Sequence, residues 1–177
     1  MPTSVLERPA STDYGEYYGR YVTQTPAGDL VTIMGEQIPA LQSLLGSLSD
    51  GATGYAYAPG KWSVREIVGH LSDTERVFAY RATAFSRGDT QPLPGFDEAL
   101  WNPHGEYHHR TMADLLSEWG DVRRATVSLL RAMPREALAR FGVASGKEIS
   151  VLACLTILPG HVNHHVAILR ERYLGKA

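Results

Sequence analysis

The sequence is short of several things, and each shortage removes a class of protein. It has one cysteine, Cys154, so no intramolecular disulfide framework can staple it. Its longest apolar stretches are short and interrupted, so no bilayer-spanning segment is expected. Residues 1–12 hold no apolar h-region, and no secretory signal is apparent. Seventeen Lys and Arg stand against 19 Asp and Glu with no basic run, so nucleic acid is not an expected partner. Internal repeats and low-complexity segments are missing too. What is left is one domain, long enough to bury a substantial core, with the cytoplasm as its expected location.

What the chain does have is helical periodicity. Residues 1–12 read as a flexible lead-in and 13–177 as a single domain. Tyr14, Tyr17, Tyr18 and Tyr21 fall at i, i+3, i+4 and i+7, the spacing of a short N-terminal helical segment docked by its tyrosines. Asp29 can cap a long amphipathic helix marked by Leu30, Ile33, Met34, Ile38, Leu41, Leu45 and Leu48, kinked at Pro39. Asp50-Gly51 and Gly54 end it. Ser63-Val64-Arg65-Glu66 is a capping box opening a second helix, whose stripe runs from Val64 to Phe85 and stops at Gly88.

A connection from residue 88 to about 110, rich in Gly and Pro, follows, with one helical turn near Asp97 to Trp101. The third helix reads from Thr111 to Met133. A loop with Gly142 and Gly146 precedes the fourth, from about Ser150 to Leu174, which Gly175 is placed to stop. Strand signal is slight. The prediction is an all-α fold, a four-helix bundle with a long crossover loop between helices 2 and 3 and a short N-terminal helical segment.

The chemistry concentrates in histidines. His161 and His165 stand four residues apart on the apolar face of the last helix, a spacing one metal ion can bridge. Pro159 and Gly160 precede them, and a bend there is expected to aim both rings. Buried imidazoles need hydrogen-bond partners or a metal, and neutral imidazole suits zinc and similar divalent ions. His70, at the edge of the second helix's stripe, is the candidate third ligand. Core histidines satisfied by backbone or carboxylates remain the competing explanation. His164 falls to the flank, and His104, His108 and His109 sit in or beside the loop. Glu75 falls on an inward face, as does Arg172, which predicts a buried ion pair between them near the site. Asp73 is a candidate acceptor orienting His70. Cys154 reads as a core residue.

Three blocks carry a resemblance. Pro59-Gly60-Lys61-Trp62-Ser63-Val64-Arg65-Glu66-Ile67-Val68-Gly69-His70-Leu71-Ser72-Asp73-Thr74-Glu75-Arg76 looks like the second-helix signature of the DinB/YfiT-like family. Pro92-Leu93-Pro94-Gly95-Phe96-Asp97 resembles its loop, and Gly160-His161-Val162-Asn163-His164-His165 running into Leu169-Arg170-Glu171-Arg172-Tyr173-Leu174 resembles its last helix. The similarity covers Tyr14 to about Leu174. It implies a four-helix bundle in which His70, His161 and His165 bind a divalent metal, zinc or nickel. It also implies a metal-dependent hydrolase, or a transferase of low-molecular-weight thiols onto small electrophiles.

Three functions therefore compete. The first is a metal-dependent thiol S-transferase or hydrolase acting on a small molecule. The second is a non-catalytic metal-binding stress-response module, and the third a structural helical protein with satisfied core histidines. The partners expected of the first are a small-molecule substrate, with a low-molecular-weight thiol as the leading candidate, and no nucleic acid or membrane. A homodimer is the assembly to test.

Overall fold

The computed structural model of the protein describes residues 8–174, so residues 1–7 of the expected lead-in and the expected stop at Gly175 lie outside it. A 3-10 turn at Glu16–Tyr18, with Tyr17 and Tyr18, leads into α1 (Gly19–Val22), which carries Tyr21. The four long helices are α2 (Leu30–Leu45), α4 (Val64–Ser86), α6 (Met112–Ala132) and α7 (Val151–Arg172). Short helices α3 (Asp50–Gly54) and α5 (Glu98–His104) lie in the connections. The all-α four-helix bundle with its crossover between the second and third long helices is the observed architecture.

Local chemistry starts each long helix with a side-chain cap, at Asp29 and Ser63 where the sequence placed one and at the helix starts Thr111 and Ser150 as well. Asp29 accepts from Thr32 N, Thr111 from Asp114 N and Ser150 from Ala153 N. Ser63 and Glu66 form the full reciprocal capping box. α4 packs against α6 and α7, and α2 packs against the same two from the other side, so α2 and α4 sit on one diagonal.

The core divides into two apolar clusters along the bundle axis. One is built around Met34, Phe78, Phe85, Leu130, Leu155 and Ile157, the other around Leu41, Leu71, Leu115, Trp119, Val162 and Leu169. Between them each long helix contributes a polar residue: Gln37 on α2, Glu75 on α4, Arg123 on α6 and His161 on α7. A polar layer therefore lies between the two apolar clusters, and Arg81 on α4 is a further buried charge, packed on Phe78 of the first cluster.

Several details differ from the sequence reading. α2 ends at Leu45, and Ser49 caps a separate short helix, α3, where a connector was expected. The stretch around Gly142 and Gly146 is a β-hairpin, β1 (Phe141–Ala144) paired antiparallel with β2 (Lys147–Ser150). Its two turn residues, Ser145 and Gly146, both take positive φ, 55° and 73°, the conformation of a tight hairpin turn. Gly142 is needed because a Cβ there would meet the Phe85 ring at 2.1 Å. The crossover segment adds a parallel bridge to this hairpin at Leu93.

α7 runs unbroken through Pro159. Gly160 serves a close approach: a Cβ on it would lie 1.8 Å from the Tyr21 carbonyl oxygen, so glycine lets α1 lie against α7. Contrary to the expectation of interrupted runs, α7 is long and apolar enough to cross a membrane by length and composition, with a mean hydropathy of 1.3. In this fold 61% of that window is buried inside the bundle.

Candidate metal centre

His70 on α4 and His161 and His165 on α7 meet at the polar layer. Their Nε2 atoms converge: His161 Nε2 lies 3.0 Å from His70 Nε2 and 3.1 Å from His165 Nε2. All three residues are buried, at 6%, 4% and 9% exposure. Two imidazole nitrogens in such contact can share at most one hydrogen, so His161 Nε2 cannot satisfy both neighbours as donor and acceptor. A cation on the three lone pairs resolves the conflict. Ligand nitrogens about 2.1 Å from a common ion stand about 3.0 Å apart at a right angle, close to the observed spacing. The donor set fits a divalent metal.

Electrostatics keeps these rings ready as ligands. Burial lowers His70 to about 4. Burial, then the charges of His70 and His164, lowers His165 to about 3. His161 is held well below the ordinary histidine range by burial first, then by His165, His70, His164 and Arg123. Each is a neutral imidazole with a lone pair free at neutral pH. Thr74 Oγ1, one turn after His70, stands 3.5 Å from His70 Nε2, and Trp62 covers the His70 ring at 4.7 Å between centroids. Tyr21 packs its edge on His161 at 5.1 Å.

The other residues singled out in the sequence fall elsewhere. Glu75 does not meet Arg172. Its carboxylate pairs with Arg123, whose Nη2 donates to Oε2 at 2.8 Å with both side chains sealed from solvent. Arg172, half exposed at the end of α7, lies beside Glu171 and over the Tyr57 ring, while Leu169 and Tyr173 carry the buried face of that turn. Asp73 does not reach His70. It accepts a hydrogen bond from the Tyr107 hydroxyl, and the Tyr107 ring fits between Gly69 and Gly105, where a Cβ on either would clash. His164 is half-buried beside Gln24 and Tyr21, outside the cluster. His104, His108 and His109 are exposed, and Cys154 is buried in the core.

Arg123 was missed. Its Nη1 donates to Gln37 Oε1 at 2.7 Å, and Gln37 Nε2 donates to Pro159 O and Asn163 Oδ1, each at 2.9 Å. Arg123 and Gln37 thus tie α2, α4 and α6 to α7 within one turn of His161.

Two clefts open onto the cluster. One, of about 300 Å³, reaches His70 and His161 and is walled by Tyr17, Tyr18, Tyr21, Phe78 and Phe96. The other, of about 370 Å³, reaches His165 between Tyr57, Trp62 and Tyr173. Glu98, first residue of α5, lines both.

A four-helix bundle closing on three convergent imidazoles defines a class of metal-site helical protein, and comparison with known proteins gives the family. The model of the DinB superfamily matches residues 35–169, and the chain belongs to that superfamily. It is 25% identical over 160 residues to the "Putative metal-dependent hydrolase YfiT" of Bacillus subtilis, covering 89% of this chain and 90% of that one. A protein of Oceanobacillus iheyensis named in the same terms is 26% identical over 133 residues, covering 73% of this chain and 75% of its own length. The solved structure of the Bacillus subtilis protein, described as a four-helix bundle of unusual topology, superposes with a TM-score of 0.72 at 19% identity. It covers 93% of this chain and 90% of that one, and shows the shared fold.

Proposed function

We propose that the protein is a metal-dependent enzyme acting on small molecules, with a divalent ion, zinc or nickel, held by His70, His161 and His165. The observation that carries this is the convergence of three neutral imidazole nitrogens at 3.0 and 3.1 Å at the foot of an open cleft. The names of the two relatives support metal dependence. A cleft of about 300 Å³ is large enough for a small organic molecule, which favours an enzyme over a module that only stores metal.

Such an ion would supply Lewis acidity, lowering the pKa of a water or thiol beside it. The protein's own residues do the rest. Trp62 and Tyr21 shield the outer faces of His70 and His161 from water. The Glu75–Arg123–Gln37 chain fixes the turn of α7 from which His161 projects. Tyrosine hydroxyls and Thr74 offer hydrogen bonds to a reactant in the cleft.

Between the two reactions, transfer of a low-molecular-weight thiol onto an electrophile is favoured by the two clefts, which let two organic reactants approach the cluster from different sides. Hydrolysis, which needs one organic reactant and water, is the second reading, favoured by the names of the relatives. The same proposal places the protein in the cytoplasm with a small-molecule partner.

Elemental analysis of the purified protein tests the core of it. Near-stoichiometric zinc or nickel is expected, lost in each of His70→Ala, His161→Ala and His165→Ala. Normal metal content in His70→Ala would exclude this ligand set. Mass spectrometry of thiol–electrophile mixtures incubated with the loaded protein then separates transfer from hydrolysis.

A further inference from the structure

The wall of the first cleft has a composition the metal does not explain. Five aromatic rings, Tyr17, Tyr18, Tyr21, Phe78 and Phe96, surround a space into which, among the described residues, one charged side chain opens, Glu98; the buried Arg81 guanidinium lies behind the wall, 4.9 Å from the Phe78 ring. Four of them form a continuous edge-to-face run, Tyr21 to Tyr17 at 6.0 Å, Tyr17 to Tyr18 at 5.4 Å and Tyr18 to Phe78 at 5.5 Å, and Phe96 packs on Trp101 at 5.3 Å. Ring faces are electron-rich and attract cations, and an aromatic wall with a carboxylate beside it is the chemistry that recognises ammonium groups.

Glu98 is free for this. It is half-buried, and among the described residues no Lys, Arg or His lies within 4.0 Å of it. Its position in the first turn of α5 suggests a capping role, but Asp97 already accepts from both Ala99 N and Leu100 N. Guanidinium groups already cover two of the five rings, Arg20 over Tyr17 and Arg81 over Phe78 at 4.9 Å, which leaves three. Arg20 sits over Tyr17 at 4.3 Å and reaches Tyr21 only at 6.0 Å, and among the described residues no side-chain cation covers Tyr18 or Phe96.

We propose that this cleft binds its substrate through a protonated amine, which Glu98 pairs with and the Tyr18, Tyr21 and Phe96 rings surround. This rests on the metal reading in one respect. A bare cation would be repelled by a divalent ion at the cluster, so the ligand carries its amine together with an anionic or thiol donor for that ion. The substrate class is an amine-bearing thiol or amino-acid derivative.

The probes are 2-aminoethanethiol and its neutral isostere propane-1-thiol, titrated calorimetrically into the full chain as purified. 2-Aminoethanethiol is expected to bind at least tenfold more tightly. Because the two thiols also differ in acidity, the decisive quantity is how that ratio changes between proteins. In Glu98→Gln the preference should fall by about tenfold, with metal content as in the wild type. In Tyr18→Leu, checked for folding by circular dichroism, 2-aminoethanethiol should weaken several-fold and propane-1-thiol little. Equal binding of the two thiols in the wild type, or an unchanged preference in Glu98→Gln, overturns the amine site. Failure of the metal reading shows separately, as absence of zinc and nickel from the same wild-type sample.

Discussion

Arg123 Nη2 donates to Glu75 Oε2 at 2.8 Å in a layer where the two side chains are 0% and 1% exposed, between two apolar clusters of the bundle. A charge pair taken this far from water gains little over an apolar pair, but removing one partner strands the other. Each of Glu75→Gln and Arg123→Met is therefore expected to cost about 3–5 kcal/mol in urea denaturation. The double variant should recover much of that loss, because no unpaired charge remains. Single variants within about 1 kcal/mol of wild type would show that water reaches the pair.

The same pair shows where reading the sequence stops. The caps at Asp29 and Ser63 were legible because they are local, each accepting from a backbone N–H three residues on, and the helix starts read at Thr111 and Ser150 prove to be caps of the same kind. The histidine cluster was legible because its spacing on α7 and the wheel position of His70 are geometric facts about helices. Arg123 was not seen, although Leu116, Trp119, Arg123, Val127 and Leu130 follow the 3-4-4-3 rhythm of an inward stripe. Its charge argued for the surface, and only the partner on another helix reverses that argument. The Arg172 error is the mirror case: its wheel position sits at the edge of the stripe, but in that turn Leu169 and Tyr173 hold the buried face and Arg172 lies half exposed beside them. The hairpin escaped because its strands are four residues each, and Gly142 reads as a loop residue until the Phe85 ring beneath it is known.

Gly160 should not tolerate even a methyl group. A Cβ 1.8 Å from the Tyr21 carbonyl oxygen must push α1 away from α7, and with it the ring that shields His161. Gly160→Ala is expected to lose about 2–3 kcal/mol, the range of overpacked cores. Gly35→Ala is the control. It lies inside α2 with nothing within 4 Å of a new Cβ, and should gain about 0.5–1 kcal/mol from helix propensity. Equal stability of the two variants in urea would show that α1 is free to move off α7.

Cys154 should be inert in the folded protein. Burial pushes its thiol up to about 12, with Arg81 opposing only in part, so almost no thiolate exists at pH 8. Reaction with a disulfide reagent at pH 8 is expected to be at least a hundredfold slower in native protein than in denatured protein. Comparable rates would place the thiol in contact with solvent.

Stability of the metal-free protein should fall on mild acidification. In the folded state burial lowers His70 to about 4 and His165 to about 3, and lowers His161 and His164 as well, against an ordinary value of 6.5 in the unfolded chain. Between pH 6.5 and about 4 the unfolded chain therefore binds protons that the folded one refuses. Unfolding is thus favoured as pH falls, and the stability is fully present only above about 6.5. Each such imidazole contributes a slope of up to about 1.4 kcal/mol per pH unit. The depressed carboxylates Asp114 and Glu118 act below their ordinary values of 3.8 and 4.5, so the window from pH 6.5 to 5 belongs to the histidines. Urea midpoints of chelator-treated protein at pH 7, 6 and 5 are expected to decline steadily, and His70→Gln should make the decline shallower. A flat profile over that range would mean that the rings are protonated in the folded state, and the cluster could not then be a set of waiting metal ligands.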